Sequence, residues 1–225
     1  MKLLFLGTGA GEWPPCKDEN GEILRRFSSL LIDDCLLIDP CPTVFDSIKK
    51  FGVDSSKIKY VINTHKHDDH FSDEALKGLL SQGAKYVELR GGEIATLGKY
   101  KITAVEGNHS IPVAHFLIDD GERKLYYALD GAWLTYKEIQ LIRERKLDYL
   151  VLDGTVGFLE GDYRIFEHNN LNMVIEIKKS LCERDVKRFC ISHIATSLHT
   201  DHATLERVMS EHGIEVAYDG MITEI

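Results

Sequence analysis

Short apolar runs of strand length alternate with stretches of helical period along most of the chain. Residues 2–6 form the first run and end at Gly7-Thr8-Gly9, which predicts a buried strand closed by a turn. Residues 11–26 are polar, carry Trp13-Pro14-Pro15 and predict a loop. The runs 27–32 and 35–38, parted by Asp33-Asp34, predict a hairpin. Pro42, Val44, Phe45 and Ile48 predict a short helix. A β-branched strand is expected at 60–63. Ser72, followed by Asp73 and Glu74, predicts an N-cap with acids in the first turn of a helix carrying Ala75, Leu76, Leu79 and Leu80. Strands are expected at 86–89, 102–105, 116–118, 125–129, 149–152, 189–192 and 216–218. Helices are expected after the capping box Thr135-x-x-Glu138, after Asn170 and over 203–211. Strand-rich halves with interspersed helices imply an α/β sandwich. No repeat, low-complexity tract or linker divides the chain, so a single domain over 1–225 is expected.

Composition narrows the function classes. With 225 residues, 44% of them hydrophobic, the chain can bury one sizeable core. Its formal net charge of -9 argues against general nucleic-acid binding, which needs clustered Lys and Arg. The five cysteines, Cys16, Cys35, Cys41, Cys182 and Cys190, include no C-x-x-C pair and predict reduced thiols. Only six residues precede Gly7, too few for the apolar region of a signal peptide, and no run approaches the ~20 residues of a membrane span. A cytoplasmic protein with no membrane association is expected.

The chemistry concentrates in Thr64-His65-Lys66-His67-Asp68-Asp69-His70. Three imidazoles and a carboxylate within six residues suit a divalent transition metal. His65 and His67 can face the same way from extended chain, and Asp69 and His70 follow on the turn into a helix. Six residues cannot complete two metal sites, so other ligands must come from elsewhere. His109, Asp130 and His193 each fall at or just beyond the end of an expected strand, as His65 does. Open α/β folds collect functional groups at such ends. Any one of these alone reads as a surface histidine or a turn aspartate. Their joint placement behind the first motif favours ligands.

H-x-H-x-D-H, then a later His, then an Asp and a His each following a strand, resembles the metal signature of the metallo-β-lactamase superfamily. Leu6-Gly7-Thr8-Gly9 and Leu36-Leu37-Ile38-Asp39 resemble its early strands. Arg26-Phe27-Ser28-Ser29 and Val216-Ala217-Tyr218-Asp219-Gly220-Met221 resemble the subgroup that contains the phosphonate-pathway cyclic phosphodiesterase. Glu167-His168-Asn169-Asn170-Leu171 is similar to a Gly-His-x-x motif there and to a His-Ser-Thr motif of tRNA 3′-processing endonucleases. The chain departs from the subgroup in places. Only Cys16 remains between residues 10 and 34, so no cysteine-bound structural zinc is expected. Cys41 stands where Gly is usual. Ile194-Ala195-Thr196-Ser197 replaces a common second His, leaving His199 or His202 as substitutes. A Gly/Pro/Lys-rich tRNA-gripping arm is missing.

The resemblance implies a four-layer αβ/βα sandwich and two divalent ions per chain, Zn or Mn. His65, His67 and His109 would hold one ion; Asp69, His70 and His193 the other; Asp130 would bridge. Asp69 counts among the catalytic residues as well as the ligands. A metal-bridging hydroxide would attack, and His168 would act as general acid or donate to a phosphoryl oxygen. Asp39, Asp153 and His199 are expected behind the ligands, the aspartates orienting imidazoles. Trp13 and Arg26 stay open between a substrate mouth and surface packing. The expected activity is hydrolysis of a small phosphodiester, cyclic esters included. A thioester, lactone or β-lactam hydrolase of the same fold is the alternative, and a non-hydrolytic metal-binding or redox module ranks last. The expected partner is a small-molecule substrate, with a homodimer as one open state of assembly.

Overall fold

The central apolar runs all become strands. The computed structural model describes residues 1–225, in two units, Met1–Leu89 with Ala217–Ile225 and Arg90–Val216. In chain order the first unit runs β1 (Lys2–Gly7), β2 (Ser29–Ile32), β3 (Leu36–Ile38), α1 (Val44–Lys50), β4 (Tyr60–Ile62), α2 (Asp73–Ser81) and β5 (Lys85–Tyr86). The second continues with β6 (Ile94–Leu97), β7 (Tyr100–Glu106), β8 (Ala114–Asp119), β9 (Lys124–Ala128), α3 (Tyr136–Arg145), β10 (Leu147–Asp153), α4 (Leu171–Ser180), β11 (Val186–Ser192), α5 (His202–Ser210) and β12 (Ile214–Val216). β13 (Ile222–Glu224) then returns to the first unit. No helix is long and apolar enough to cross a membrane.

The first unit holds a six-stranded mixed sheet in the order β13-β1-β2-β3-β4-β5. It is antiparallel from β13 to β3 and parallel from β3 to β5. The β2–β3 hairpin turns where expected, with φ of 49° at Asp33 and 55° at Asp34. Such a primed turn matches the strand twist, and Asp tolerates the left-handed region. Asp33 also accepts the Lys2 N–H at 2.6 Å, tying the hairpin to β1. Leu4, Leu6, Leu31, Leu37, Val61 and Leu79 build the core of this unit. Each such side chain contributes about 1.5–3 kcal/mol when fully buried.

The second unit holds a seven-stranded mixed sheet, β12-β11-β10-β9-β8-β7-β6, parallel from β9 to β12 and antiparallel from β6 to β9. β10 is buried along its whole length, as a central parallel strand must be. Leu150 and Leu152 pack with Val174, Ile177, Phe189 and Leu205. The predicted caps form: Ser72 accepts from Ala75, Thr135 and Glu138 make a reciprocal capping box, and Asn170 accepts from Met173.

The differences lie at sheet edges. β6 has no counterpart in the sequence reading; it is a half-exposed edge strand and lacks a clean alternation. The strand expected at 216–218 forms two residues earlier, as β12. A further three-residue strand, β13, pairs with β1 and exposes two of its residues. The strand expected at 86–89 shrinks to Lys85–Tyr86.

The turn before β13 fastens the first glycine-rich loop. Asp219 accepts from the Thr8 N–H at 3.0 Å, the Thr8 hydroxyl at 2.8 Å and the Arg26 N–H at 2.7 Å. An Asp219→Ala chain would leave these donors without their acceptor, at about 1–3 kcal/mol for each buried group. We expect it to lose about 2–4 kcal/mol in urea unfolding, with the m-value unchanged.

Candidate functional site

In the first unit the motif follows β4 and is organised by one carboxylate. Asp39, at the end of β3, is fully buried. Its Oδ1 accepts the Thr64 N–H at 2.7 Å, and the Thr64 hydroxyl lies 3.0 Å from Oδ1 and 3.1 Å from Oδ2. Burial raises the Asp39 pKa, against the opposing effect of His70 and Thr64. The Thr64 N–H, the Thr64 hydroxyl and His70 Nδ1 surround it, a set of donors that suits a carboxylate. The single Thr64 hydroxyl proton points to Asp39, so His65 must donate its Nδ1–H to Thr64 Oγ1, 3.0 Å away. His70 donates its own Nδ1–H to Asp39 Oδ2 at 2.8 Å.

Both imidazoles are thereby left with a lone pair on Nε2. His65 Nε2 lies 3.0 Å from His67 Nδ1, and His70 Nε2 lies 3.4 Å from Asp69 Oδ2. Two ligand atoms bound at about 2.0–2.1 Å to a tetrahedral ion sit roughly 3.3 Å apart. A lone pair facing a carboxylate oxygen at that distance is repulsive without a cation between them. The donor set therefore fits a divalent metal.

The second unit repeats the device. Asp153, at the end of β10, is fully buried. It accepts from Thr155 N at 3.0 Å, Asn169 N at 3.1 Å, Asp130 N at 3.2 Å and His168 Nδ1 at 2.9 Å. Burial pushes its pKa up, but the imidazoles of His168 and His193 outweigh this and hold it below the usual carboxylate range. The Thr155 hydroxyl lies 3.1 Å from Asp153 Oδ2 and 2.8 Å from the His193 carbonyl. Either oxygen takes its proton, so His193 donates Nδ1–H to Thr155 Oγ1 at 2.8 Å. His109 likewise donates Nδ1–H to the Glu167 carbonyl at 3.1 Å.

Asp130 then faces two imidazoles with different oxygens: Oδ1 is 3.8 Å from His109 Nε2 and Oδ2 is 3.2 Å from His193 Nε2. Asp130, Asp153, His168 and His193 offer ligand atoms within 4.8 Å of one another. Of these, Asp153 is already saturated by donors. His168 stacks on His193 with ring centroids 5.4 Å apart. Burial opposes a charged His168 ring, yet Asp153, then Asp130, outweigh it and raise the pKa.

Asp39, Asp130 and His193 share a backbone property, with φ of 61°, 54° and 57°. Left-handed conformations cost a non-glycine residue of order 1–2 kcal/mol and gather at functional sites. His199 donates from Nε2 to the Gly154 carbonyl at 2.8 Å, so it braces the turn that carries Thr155. Arg26 is buried, with Nη1 3.6 Å from Asp219. Trp13 opens onto a cavity of about 370 Å³, lined also by Pro42, Asp68, Phe71 and Ser72. Sequence reasoning gave no role to Thr64, Thr155 or Asn169, and did not find His115. The two threonines had one signal: each stands within two residues of a predicted ligand or buried aspartate.

A family model described as the metallo-beta-lactamase superfamily matches residues 28–76. Comparison with curated proteins finds no significant sequence match. Three solved structures superpose over the whole chain. The metallo-beta-lactamase fold protein YhfI from Bacillus subtilis is 18% identical, with a TM-score of 0.77 and 99% of its own chain covered. A diphosphatase from the PhnP family is 19% identical, with a TM-score of 0.73 and 96% covered. Zn(2+)-bound PqqB from Methylobacterium extorquens is 16% identical, with a TM-score of 0.74 and 100% covered. Over its full length the chain therefore has the metallo-β-lactamase fold, and the superfamily's sequence signature falls on the stretch that contains His65, His67, Asp69 and His70.

Proposed function

We propose that the chain is a metal-dependent hydrolase of a small phosphodiester, cyclic esters included, working with two divalent ions, Zn or Mn. One observation carries the metal reading. His65, His70, His109 and His193 each commit Nδ1–H to a fixed acceptor, which leaves Nε2 as the metal-facing nitrogen. In this reading the ligands are His65, His67, Asp69 and His70 from the first unit and His109, Asp130 and His193 from the second. The two-oxygen reach of Asp130 toward two imidazoles suits a shared carboxylate. Bound divalent ions supply Lewis acidity and positive charge at the reacting phosphoryl group.

The phosphodiester reading rests on His168. Its Nδ1–H is anchored on Asp153, whose negative charge favours the protonated ring. An imidazolium held so can protonate a leaving alkoxide, a contribution of about a hundred- to ten-thousand-fold. The anchoring carboxylate fixes the ring's direction and stabilises its charge. The likeness to a diphosphatase from the PhnP family supports a phosphate ester as substrate.

Elemental analysis of the purified chain should approach two ions per molecule, and His65→Ala and His193→Ala should each lower that figure. A chain that saturates at one ion would contradict the two-ion assignment. His168→Ala should keep its metal and its melting temperature. Its kcat on bis(p-nitrophenyl) phosphate should fall by about a hundred-fold or more. Full activity in that variant, or faster turnover of a thioester or lactone than of the phosphodiester by the wild-type chain, would overturn the phosphodiesterase reading.

A further inference from the structure

One buried charged pair in the second unit has no part in the mechanism above. His115, on β8, and Glu138, in the first turn of α3, are both fully buried. His115 Nδ1 lies 2.6 Å from Glu138 Oε1, and His115 Nε2 lies 3.0 Å from the Leu129 carbonyl. A carbonyl only accepts, so Nε2 carries a proton. Glu138 also accepts from the Tyr126 hydroxyl at 3.0 Å and from the Thr135 N–H at 2.6 Å. A carboxylate surrounded by donors requires Nδ1 to carry a proton too. Burial alone would lower the His115 pKa and raise that of Glu138; each partner's charge reverses the shift in the other.

The carbonyl that His115 grips belongs to the peptide between Leu129 and Asp130. The N–H of that same peptide donates to Asp153 Oδ2 at 3.2 Å. The peptide plane is thus held at both ends, immediately before the left-handed φ of 54° at Asp130. The ring also fills the space between two loops. A Cβ at Gly107 would lie 2.5 Å from His115 Cε1, and one at Gly131 would lie 2.6 Å from it. Gly107 leads to His109, and Gly131 follows Asp130. The two loops are joined beyond the ring by Asn108 and Ala132: Ala132 N donates to the Asn108 carbonyl at 3.0 Å and Asn108 Nδ2 to the Ala132 carbonyl at 3.1 Å.

We propose that His115, held by Glu138, is a positioning residue that clamps the Leu129–Asp130 peptide and sets the spacing of the loops bearing Asp130 and His109. The proposal rests on the metal-dependent reading above and assigns the pair a role in metal affinity beyond stability. A buried ion pair is weak evidence of stabilisation in itself, because desolvation offsets most of its attraction. Glycines at both flanking positions and a grip on one particular carbonyl call for a further reason.

The test is a zinc competition titration with a chromophoric chelator, run beside thermal melts. His115→Phe should bind Zn²⁺ about ten- to a hundred-fold more weakly than the wild-type chain, as outer supports of ligands do when lost. It should also melt earlier, since Glu138 is left as an uncompensated buried charge. The double variant His115→Phe/Glu138→Gln removes that charge and keeps an acceptor for Thr135, so it should regain melting temperature but not zinc affinity. The double variant also stands in if the single one does not fold. Recovery of both together, or unchanged affinity in either variant, would reduce the pair to a packing element and overturn the proposal. A wild-type chain that binds zinc but hydrolyses no ester would refute the hydrolase reading alone, whereas one that binds no zinc refutes both.

Discussion

Two buried carboxylates, Asp39 and Asp153, set the terms for everything around them. A buried charge is tolerated only when it is saturated by donors. Each aspartate solves this in the same way, with a backbone N–H, a threonine hydroxyl and imidazole Nδ1–H groups. The solution has a chemical by-product. His70, which donates its Nδ1–H directly, and His65 and His193, which donate through a threonine, each turn a lone pair outward on Nε2. Electrostatic satisfaction of the fold and orientation of the candidate ligands are therefore one arrangement. Neutralising either aspartate would leave its histidines free to choose the other tautomer.

Local strain is accepted at the same places. The chain enters the left-handed region at Asp39, Asp130 and His193, each just after a strand. Three such residues cost a few kcal/mol together, a large share of the 5–15 kcal/mol that holds an ordinary domain folded. The surrounding hydrogen bonds hold them there. The peptide ahead of Asp130 is bonded at its carbonyl to His115 and at its N–H to Asp153, and the peptide ahead of Asp39 at its carbonyl to Ser29 and at its N–H to Ile62.

What could be read from sequence was what recurs at short spacing. The H-x-H-x-D-H run is legible because period-two alternation and a helix start put its side chains together without any knowledge of the fold. Central strands and helix caps are legible for the same local reason. The candidate ligands His109, Asp130 and His193 could be singled out only through strand ends and a family resemblance, since no spacing relates them. Thr64 and Thr155 stayed invisible because a threonine beside a ligand looks like any turn residue until its hydroxyl proton is traced. His115 lies inside a strand, and its partner Glu138 already had a satisfactory explanation as a capping-box residue. The edges β6 and β13 escaped because edge strands need not alternate.

The return of residues 217–225 to the first unit has a consequence for how the protein is made. The second unit is continuous, Arg90–Val216, so it can complete its sheet as soon as it leaves the ribosome. The first unit begins earlier but cannot finish, because β1 waits for β13 and the Gly7-Thr8-Gly9 loop waits for Asp219. During that interval β1 presents one unpaired edge of an apolar strand, the kind of surface on which nascent chains associate with one another. The sheet of the N-terminal unit is thus complete only once β13 has been made. Slow synthesis beyond residue 90 would lengthen the period in which a chaperone has something to hold.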